Sequence, residues 1–165
     1  MAILKLIRGE YRNSDAIKNL VNYILDINKM PSRCWGGIGV PMGNPVDAMY
    51  RIKNVFDKTA GKQAEHFVLA FDSREAENLS PYFMTEIAYE ICVFFKNVQV
   101  IFAVHEVKNT YISDDYCDNC VHIHFVLNTV NVQNVSAVRI GRRTQDRGNG
   151  IIDRRATLCI LNNEL

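Results

Sequence analysis

Residues 121–128 read VHIHFVLN, and the alternation within this stretch decides the fold. In a strand successive side chains point to opposite faces. Val121, Ile123, Phe125 and Leu127 therefore share one face, a core face, and His122, His124, Val126 and Asn128 share the other. A second apolar run, VQVIFAV at 98–104, ends in His105. Antiparallel pairing of the two runs would bring a third imidazole to the same place. A His-x-His pair alone also occurs as satisfied core or surface histidines. Three imidazoles converging on one sheet face point to a metal site that leaves coordination positions open, as a catalytic site requires.

The bulk composition sets the frame for that stretch. The chain has 165 residues, 48% of them hydrophobic and 22% charged, which suits one globular domain (1–165) with a sizeable core and excludes disordered and fibrous classes. No apolar run approaches membrane-spanning length, so a cytoplasmic protein is expected. Five cysteines, at 34, 92, 117, 120 and 159, do not form a secreted disulfide pattern. Cys117-x-x-Cys120 lacks a second ligand pair and reads as two unpaired thiols rather than half a zinc site. The net charge is +1, so overall charge does not announce a nucleic-acid binder. Between Arg139 and Arg155, however, six arginines stand against two aspartates. Arg139, Arg142, Arg143 and Arg147 in this stretch either grip DNA phosphates or solvate a tail. The same choice applies to Arg8, Lys29, Arg33, Arg51 and Lys53.

Taken in order, residues 2–8 (AILKLIR) read as a strand. Ser14 is placed to cap a helix with Ile17, Leu20, Val21 and Ile24 at i, i+3, i+4, i+7. At about 100° per residue, Tyr23 falls at the border of that stripe, where its ring can pack while its hydroxyl stays accessible. Residues 31–45 read as a Gly- and Pro-rich loop, in which Trp35 serves as an anchor or stacks on an unpaired base. Asn44–Pro45 and Ser80–Pro81 look like helix starts. The expected apolar stripes are Val46, Met49, Ile52, Val55 and Phe56 in the first helix, and Phe83, Ile87, Ile91, Phe94 and Phe95 in the second. EHFVLAFD at 65–72 alternates and reads as a central strand, with His66 either a partner behind the metal or a satisfied strand residue. Residues 106–120 read as a polar loop. The fold class expected is α+β: a mainly antiparallel sheet with helices packed on one face, leaving all four histidines on the open face.

A metal that holds a phosphate needs a nucleophile, and no serine elbow or cysteine signature lies near the histidines. Tyr23 is the better candidate, although a tyrosine hydroxyl is a poor nucleophile at its ordinary pKa of about 10 and needs help to lose its proton. The bland reading of Tyr23, a border residue with a wet hydroxyl, remains open on helical position alone.

Taken together, LVNYILDINK (20–29), EHFVLAFD (65–72), QVIFAVH (99–105) and HIHFVLNTVN (122–131) resemble the motifs of the HUH relaxases, single-tyrosine type. These are the mobilisation nucleases of plasmids and integrative elements. GNPVDAMYRIKNVFDKTAGKQAEHFVLAF (43–71) is similar to the second helix and strand of that group. The resemblance covers about residues 2–131, and 131–165 reads as a diverged or truncated tail. It implies a palm-like (RRM-like) sandwich, with Tyr23 as the nucleophile that attacks one DNA phosphodiester to leave a 5′-phosphotyrosine. It implies that His105, His122 and His124 hold Mg²⁺ or Mn²⁺. Single-stranded or hairpin DNA at an origin of transfer would be the substrate, and accessory relaxosome proteins the partners. The chain departs from the family where Ala70–Phe71 stands for the usual Ser-Phe. It departs again in the length of 106–120, where Asp114, Asp115 or Asp118 stands in for a carboxylate expected nearer the first histidine. Two alternatives follow: a single-stranded DNA-binding remnant that no longer cuts, and a rolling-circle replication initiator.

Overall fold

The computed structural model describes residues 2–71, 78–95, 97–112 and 115–133. The stretch 121–128 is the middle of strand β5 (Asp115–Asn131), which lies at the centre of a five-stranded antiparallel sheet. The other strands are β1 (Ile3–Leu6), β2 (Trp35–Ile38), β3 (Ala64–Ala70) and β4 (Val98–Ile112), in the order β1-β3-β5-β4-β2. Among the described residues the helices are α1 (Ala16–Ile24), α2 (Pro45–Val55) and α3 (Pro81–Phe94). Among the described residues no helix is long and apolar enough to cross a membrane.

The α+β class and the antiparallel sheet are as expected, but the layering is not. Helices cover both faces. Val121, Ile123, Phe125 and Leu127 of β5 pack with Val100, Phe102 and Val104 of β4 against Met84, Ala88, Ile91 and Cys92 of α3. On the other face Ile101, Ala103 and Val126 pack with Ile17, Leu20, Val21 and Ile24 of α1 and with Met49 of α2. The reason lies in β4: Val100 to Val104 are apolar at every position, the pattern of a strand buried on both sides. Each fully buried Ile or Phe side chain contributes about 1.5–3 kcal/mol relative to exposure, so an uncovered face here would be costly. The histidine face is therefore not open; α1 lies over it.

Local chemistry explains the helix boundaries. Asn44 accepts a hydrogen bond from the Asp47 amide at 3.2 Å, and Pro45 opens α2. Ser80 accepts one from the Phe83 amide at 3.2 Å, and Pro81 opens α3. Ser14 does not cap α1. Asp15 occupies that position without a side-chain cap, and the Ser14 carbonyl accepts instead from the Tyr50 hydroxyl at 2.6 Å, tying α1 to α2.

Two helical stripes also differ from expectation. α3 turns Met84, Ala88, Ile91 and Cys92 to the sheet and leaves Phe83 and Phe94 exposed, while Phe95, just past its end, packs against Phe67. α2 buries Met49 and Lys53, whereas Val55 is exposed. Lys53 is thus not a surface cation. Its ammonium donates to Thr129 Oγ1 at 2.9 Å, and burial lowers its pKa to about 8.

The expected loop at 31–45 contains β2, paired to β4 from Trp35↔Ala103 to Ile38↔Val100. Its glycines hide it from a propensity reading, yet packing demands them. A Cβ at Gly36 would lie 2.4 Å from the Tyr89 hydroxyl, and one at Gly37 would lie 2.5 Å from the Val100 carbonyl oxygen. The expected loop at 106–120 is likewise mostly strand. Pairing of β4 with β5 runs on from His105↔His122 through Glu106↔Val121 to Ile112↔Asp115. Val, Thr, Tyr and Ile recur in this stretch among the polar residues that suggested a loop.

Gly37→Ala adds one methyl against a backbone atom that cannot rotate away. Urea denaturation should show a loss of about 1–3 kcal/mol for this variant. An unchanged midpoint would contradict the close approach of β2 to β4.

Candidate metal centre

The register assembles the histidines. His105 of β4 lies directly opposite His122 of β5, and His124 follows two residues later on the same face. The ring centroids of His105 and His124 are 4.3 Å apart, those of His122 and His124 4.9 Å, and those of His105 and His122 5.4 Å. One ligand nitrogen from each lies within 4.8 Å of the other two. Three nitrogens bound to one divalent ion at about 2.1 Å lie about 3–3.6 Å apart, so the most widely spaced rings would close by roughly 1 Å to share an ion. The structure thus brings together the three histidines singled out from the sequence.

Hydrogen bonds decide which nitrogens are available. His105 Nε2 donates to the Ile24 carbonyl at 2.8 Å, because a carbonyl can only accept; in the neutral ring this leaves Nδ1 with its lone pair. His124 Nδ1 lies 2.9 Å from Nε2 of His66, a β3 residue diagonal to it in the sheet. The remaining nitrogen of His124, Nε2, and Nδ1 of His122 are buried and have no hydrogen-bond partner among the described residues. An unpaired buried polar atom costs about 1–3 kcal/mol. Two of them in one cluster of neutral imidazoles fit a bound cation.

The rings are neutral because they are buried. Desolvation, with lesser contributions from the neighbouring imidazoles, lowers the pKa of His124 to about 2 and those of His66 and His122 to about 4. Burial also lowers that of His105, partly opposed by its bond to the Ile24 carbonyl. All four therefore present lone pairs at neutral pH, the form a metal requires.

Tyr23 sits on this cluster. Its ring centroid is 5.5 Å from that of His124, 6.0 Å from His105 and 6.2 Å from His66, and the residue is 44% exposed. The helical border position that the sequence assigns to it thus places it over the imidazoles with a face to solvent. Three further parts of the site were not identified as such from the sequence. Lys29 holds its ammonium 3.7 Å from the Tyr23 ring centroid. The Ile24 carbonyl, next to Tyr23 in the chain, orients His105. Tyr11, whose hydroxyl lies 3.2 Å from His66 Nδ1, comes from the segment before α1. A lysine six residues after a tyrosine carries no visible signal, and a backbone carbonyl carries none at all.

The segment after α1 is fastened beside the site. The Glu106 amide donates to the Lys29 carbonyl at 2.9 Å, and Glu106 Oε1 accepts from the Ser32 amide at 3.0 Å. Arg139, Arg142, Arg143 and Arg147 lie outside the described residues, as do the side chains of Asp114, Asp115, Cys117, Asp118 and Cys120. Trp35 is half-buried in β2, against the α1 side of the sheet.

A family model described as Relaxase: MobA/VirD2-like, nuclease domain, matches residues 23–156, a span that begins at Tyr23 and includes all three clustered histidines. Neither a curated protein nor a solved structure matches the chain.

The buried neutral rings make stability depend on pH. Unfolded histidines take up protons below about pH 6.5, whereas the folded rings resist until about pH 4 or lower. Over that window the unfolded state binds more protons, so stability falls as the pH drops. Thermal unfolding between pH 7.5 and 4.5 should show a steady loss that begins near pH 6.5, shallower in His124→Gln. A midpoint that stays constant down to pH 5 would contradict the burial of uncharged imidazoles.

Proposed function

The chain belongs to the family of MobA/VirD2-like relaxase nuclease domains, and on that premise we propose that it nicks and rejoins one DNA strand, with Tyr23 as nucleophile and His105, His122 and His124 as the metal ligands. The observation that carries this reading is the packing of the Tyr23 ring against the imidazoles of His105 and His124, in a cluster where His122 Nδ1 and His124 Nε2 are buried without a hydrogen-bond partner among the described residues. Lone pairs gathered beside an accessible phenol suit a phosphoryl-transfer site.

The proposed reaction is a transesterification. The Tyr23 oxygen forms a bond to phosphorus as the bond from phosphorus to the 3′ oxygen breaks. The phenol releases a proton and the departing 3′ oxygen takes one, which leaves a 5′-phosphotyrosine and a free 3′-hydroxyl. One ester replaces another, so the same site can run the reaction backwards and rejoin the strand. A divalent cation, Mg²⁺ or Mn²⁺, would offset charge that grows on the phosphate oxygens when held by the three imidazoles. Lys29, above the Tyr23 ring, puts a positive charge beside a phosphate that approaches the hydroxyl. The Ile24 carbonyl keeps His105 in one tautomer, and since Ile24 adjoins Tyr23, ligand and nucleophile are held by the same turn of helix.

The proposed substrate is single-stranded or hairpin DNA at an origin of transfer, with accessory relaxosome proteins as further partners, in a cytoplasmic setting. Ala70 favours a second reading. It lies opposite His122 on the histidine face, where the family usually carries a serine hydroxyl. A chain lacking that hydroxyl is a candidate for binding DNA without cutting it.

A pool of 3′-labelled single-stranded oligonucleotides incubated with the protein and Mn²⁺ distinguishes the readings. Transfer of the label onto the protein, seen as a denaturant-resistant adduct, is expected. Tyr23→Phe should abolish the adduct while DNA retention stays within about tenfold, because one hydrogen bond to an exposed hydroxyl is the most that change removes. An adduct of undiminished yield in Tyr23→Phe would overturn the nucleophile, and retention without any adduct would favour the binding-only reading.

A further inference from the structure

Behind the three clustered imidazoles stands a second line of polar groups that the proposed chemistry does not use. His66 Nε2 faces His124 Nδ1 at 2.9 Å, and His66 Nδ1 faces the Tyr11 hydroxyl at 3.2 Å. Both imidazoles of the first contact are buried. A contact between two neutral imidazole nitrogens holds one hydrogen, which belongs either to His66 or to His124.

The two arrangements have opposite consequences. If His66 Nε2 carries the hydrogen, it donates to His124 Nδ1, and the hydrogen of His124 must sit on Nε2. That nitrogen is buried without a partner among the described residues, and an N–H there cannot bind a cation. If His124 Nδ1 carries the hydrogen, it donates to His66 Nε2. His66 then carries its own hydrogen on Nδ1 and donates to the Tyr11 oxygen, while His124 Nε2 presents a lone pair. No proton is gained or lost between the two states; each ring's hydrogen sits on its other nitrogen.

We propose that Tyr11 and His66 are positioning residues whose hydrogen-bond direction sets His124 in the tautomer able to bind a divalent cation. This rests on the reading of His105, His122 and His124 as a cation site. The chain segment that supplies Tyr11 is built to hold its hydroxyl there. Tyr11 adopts φ 39°, a left-handed conformation that costs a bulky residue energy and needs surrounding structure to hold it. Its ring folds back across Gly9, where a Cβ would lie 2.3 Å from the ring, and its carbonyl accepts from the Gln63 amide at 2.7 Å. The Gln63 bond fixes this segment just ahead of the strand that carries His66. The arrangement matches the general pattern in which a ligand histidine is oriented through its second nitrogen. Its partner here is an imidazole rather than a carboxylate, and the Tyr11 oxygen, held at the far end, takes the hydrogen that the metal-binding direction leaves on His66 Nδ1.

Calorimetric titration of the full chain with MnCl₂ tests this. His66→Leu removes the acceptor and should weaken Mn²⁺ binding by about 10–100-fold. His66→Gln, whose amide oxygen can accept from His124 Nδ1, should recover most of that loss. Nitrogen NMR of the Mg²⁺-saturated wild type should find the hydrogen of His124 on Nδ1, a readout available even where His66→Leu does not fold. Equal Mn²⁺ affinity of His66→Leu and wild type, or a His66→Gln variant as weak as His66→Leu, would overturn the positioning role and leave the cation site standing, whereas a His124 hydrogen on Nε2 would overturn both the positioning role and His124 as a ligand. Failure of the wild type to bind Mn²⁺ at all would overturn the cation site and, with it, this inference.

Discussion

Four imidazoles, three buried and that of His122 half-buried, lie side by side under one short helix, and the rest of the structure answers the demands this makes. Charged rings at such spacing would repel, and burial already disfavours charge, so the cluster persists as neutral rings. A neutral imidazole is one donor and one acceptor, and each ring must be told which nitrogen is which. His105 takes its instruction from a helix carbonyl and His124 from a neighbouring strand. Where the instruction runs out, at His122 Nδ1 and His124 Nε2, the two atoms without a partner among the described residues fall in the same cluster.

The fold supplies this arrangement through register. Direct pairing of His105 with His122 and the two-residue repeat to His124 put three rings on adjacent positions of one face, and the diagonal to β3 adds His66. A slip of one residue in β5 would send both of its histidines to the α3 side. That register is set by apolar side chains on both faces of β4 and on the α3 face of β5, so the hydrophobic core and the polar cluster fix each other. The segment after α1 then closes the site. Its bonds to Glu106 hold Lys29 beside Tyr23, and the last turn of α1 contributes both the tyrosine and the carbonyl that orients His105.

How much of this could be read in advance follows from the kind of signal involved. Strict alternation in VHIHFVLN gave the faces of β5 correctly, and helical periodicity placed Tyr23 at the edge of the α1 stripe, where it lies. Those patterns depend on backbone geometry alone. WGGI did not read as a strand because glycine has poor strand propensity, although Tyr89, Phe102 and the Val100 carbonyl leave room for nothing larger. Polar residues at 106–120 likewise hid a strand pair that ladder bonding extends. Lys53 read as a surface cation because lysine is rarely buried; its bond to Thr129 joins positions far apart in the chain. Covering of the histidine face by α1 could have been suspected from the unbroken apolar run in β4. The Tyr11–His66–His124 chain could not, since it depends on a left-handed turn and a diagonal contact.

The central claim is that His105, His122 and His124 together hold a divalent cation beside Tyr23. Anomalous X-ray scattering from crystals of the full chain grown with Mn²⁺ tests it most directly. A single strong peak at coordination distance from one nitrogen of each of the three rings, on the side facing the Tyr23 hydroxyl, is the result the account predicts. Manganese bound only at surface carboxylates, with the imidazole cluster free of anomalous density, would contradict it.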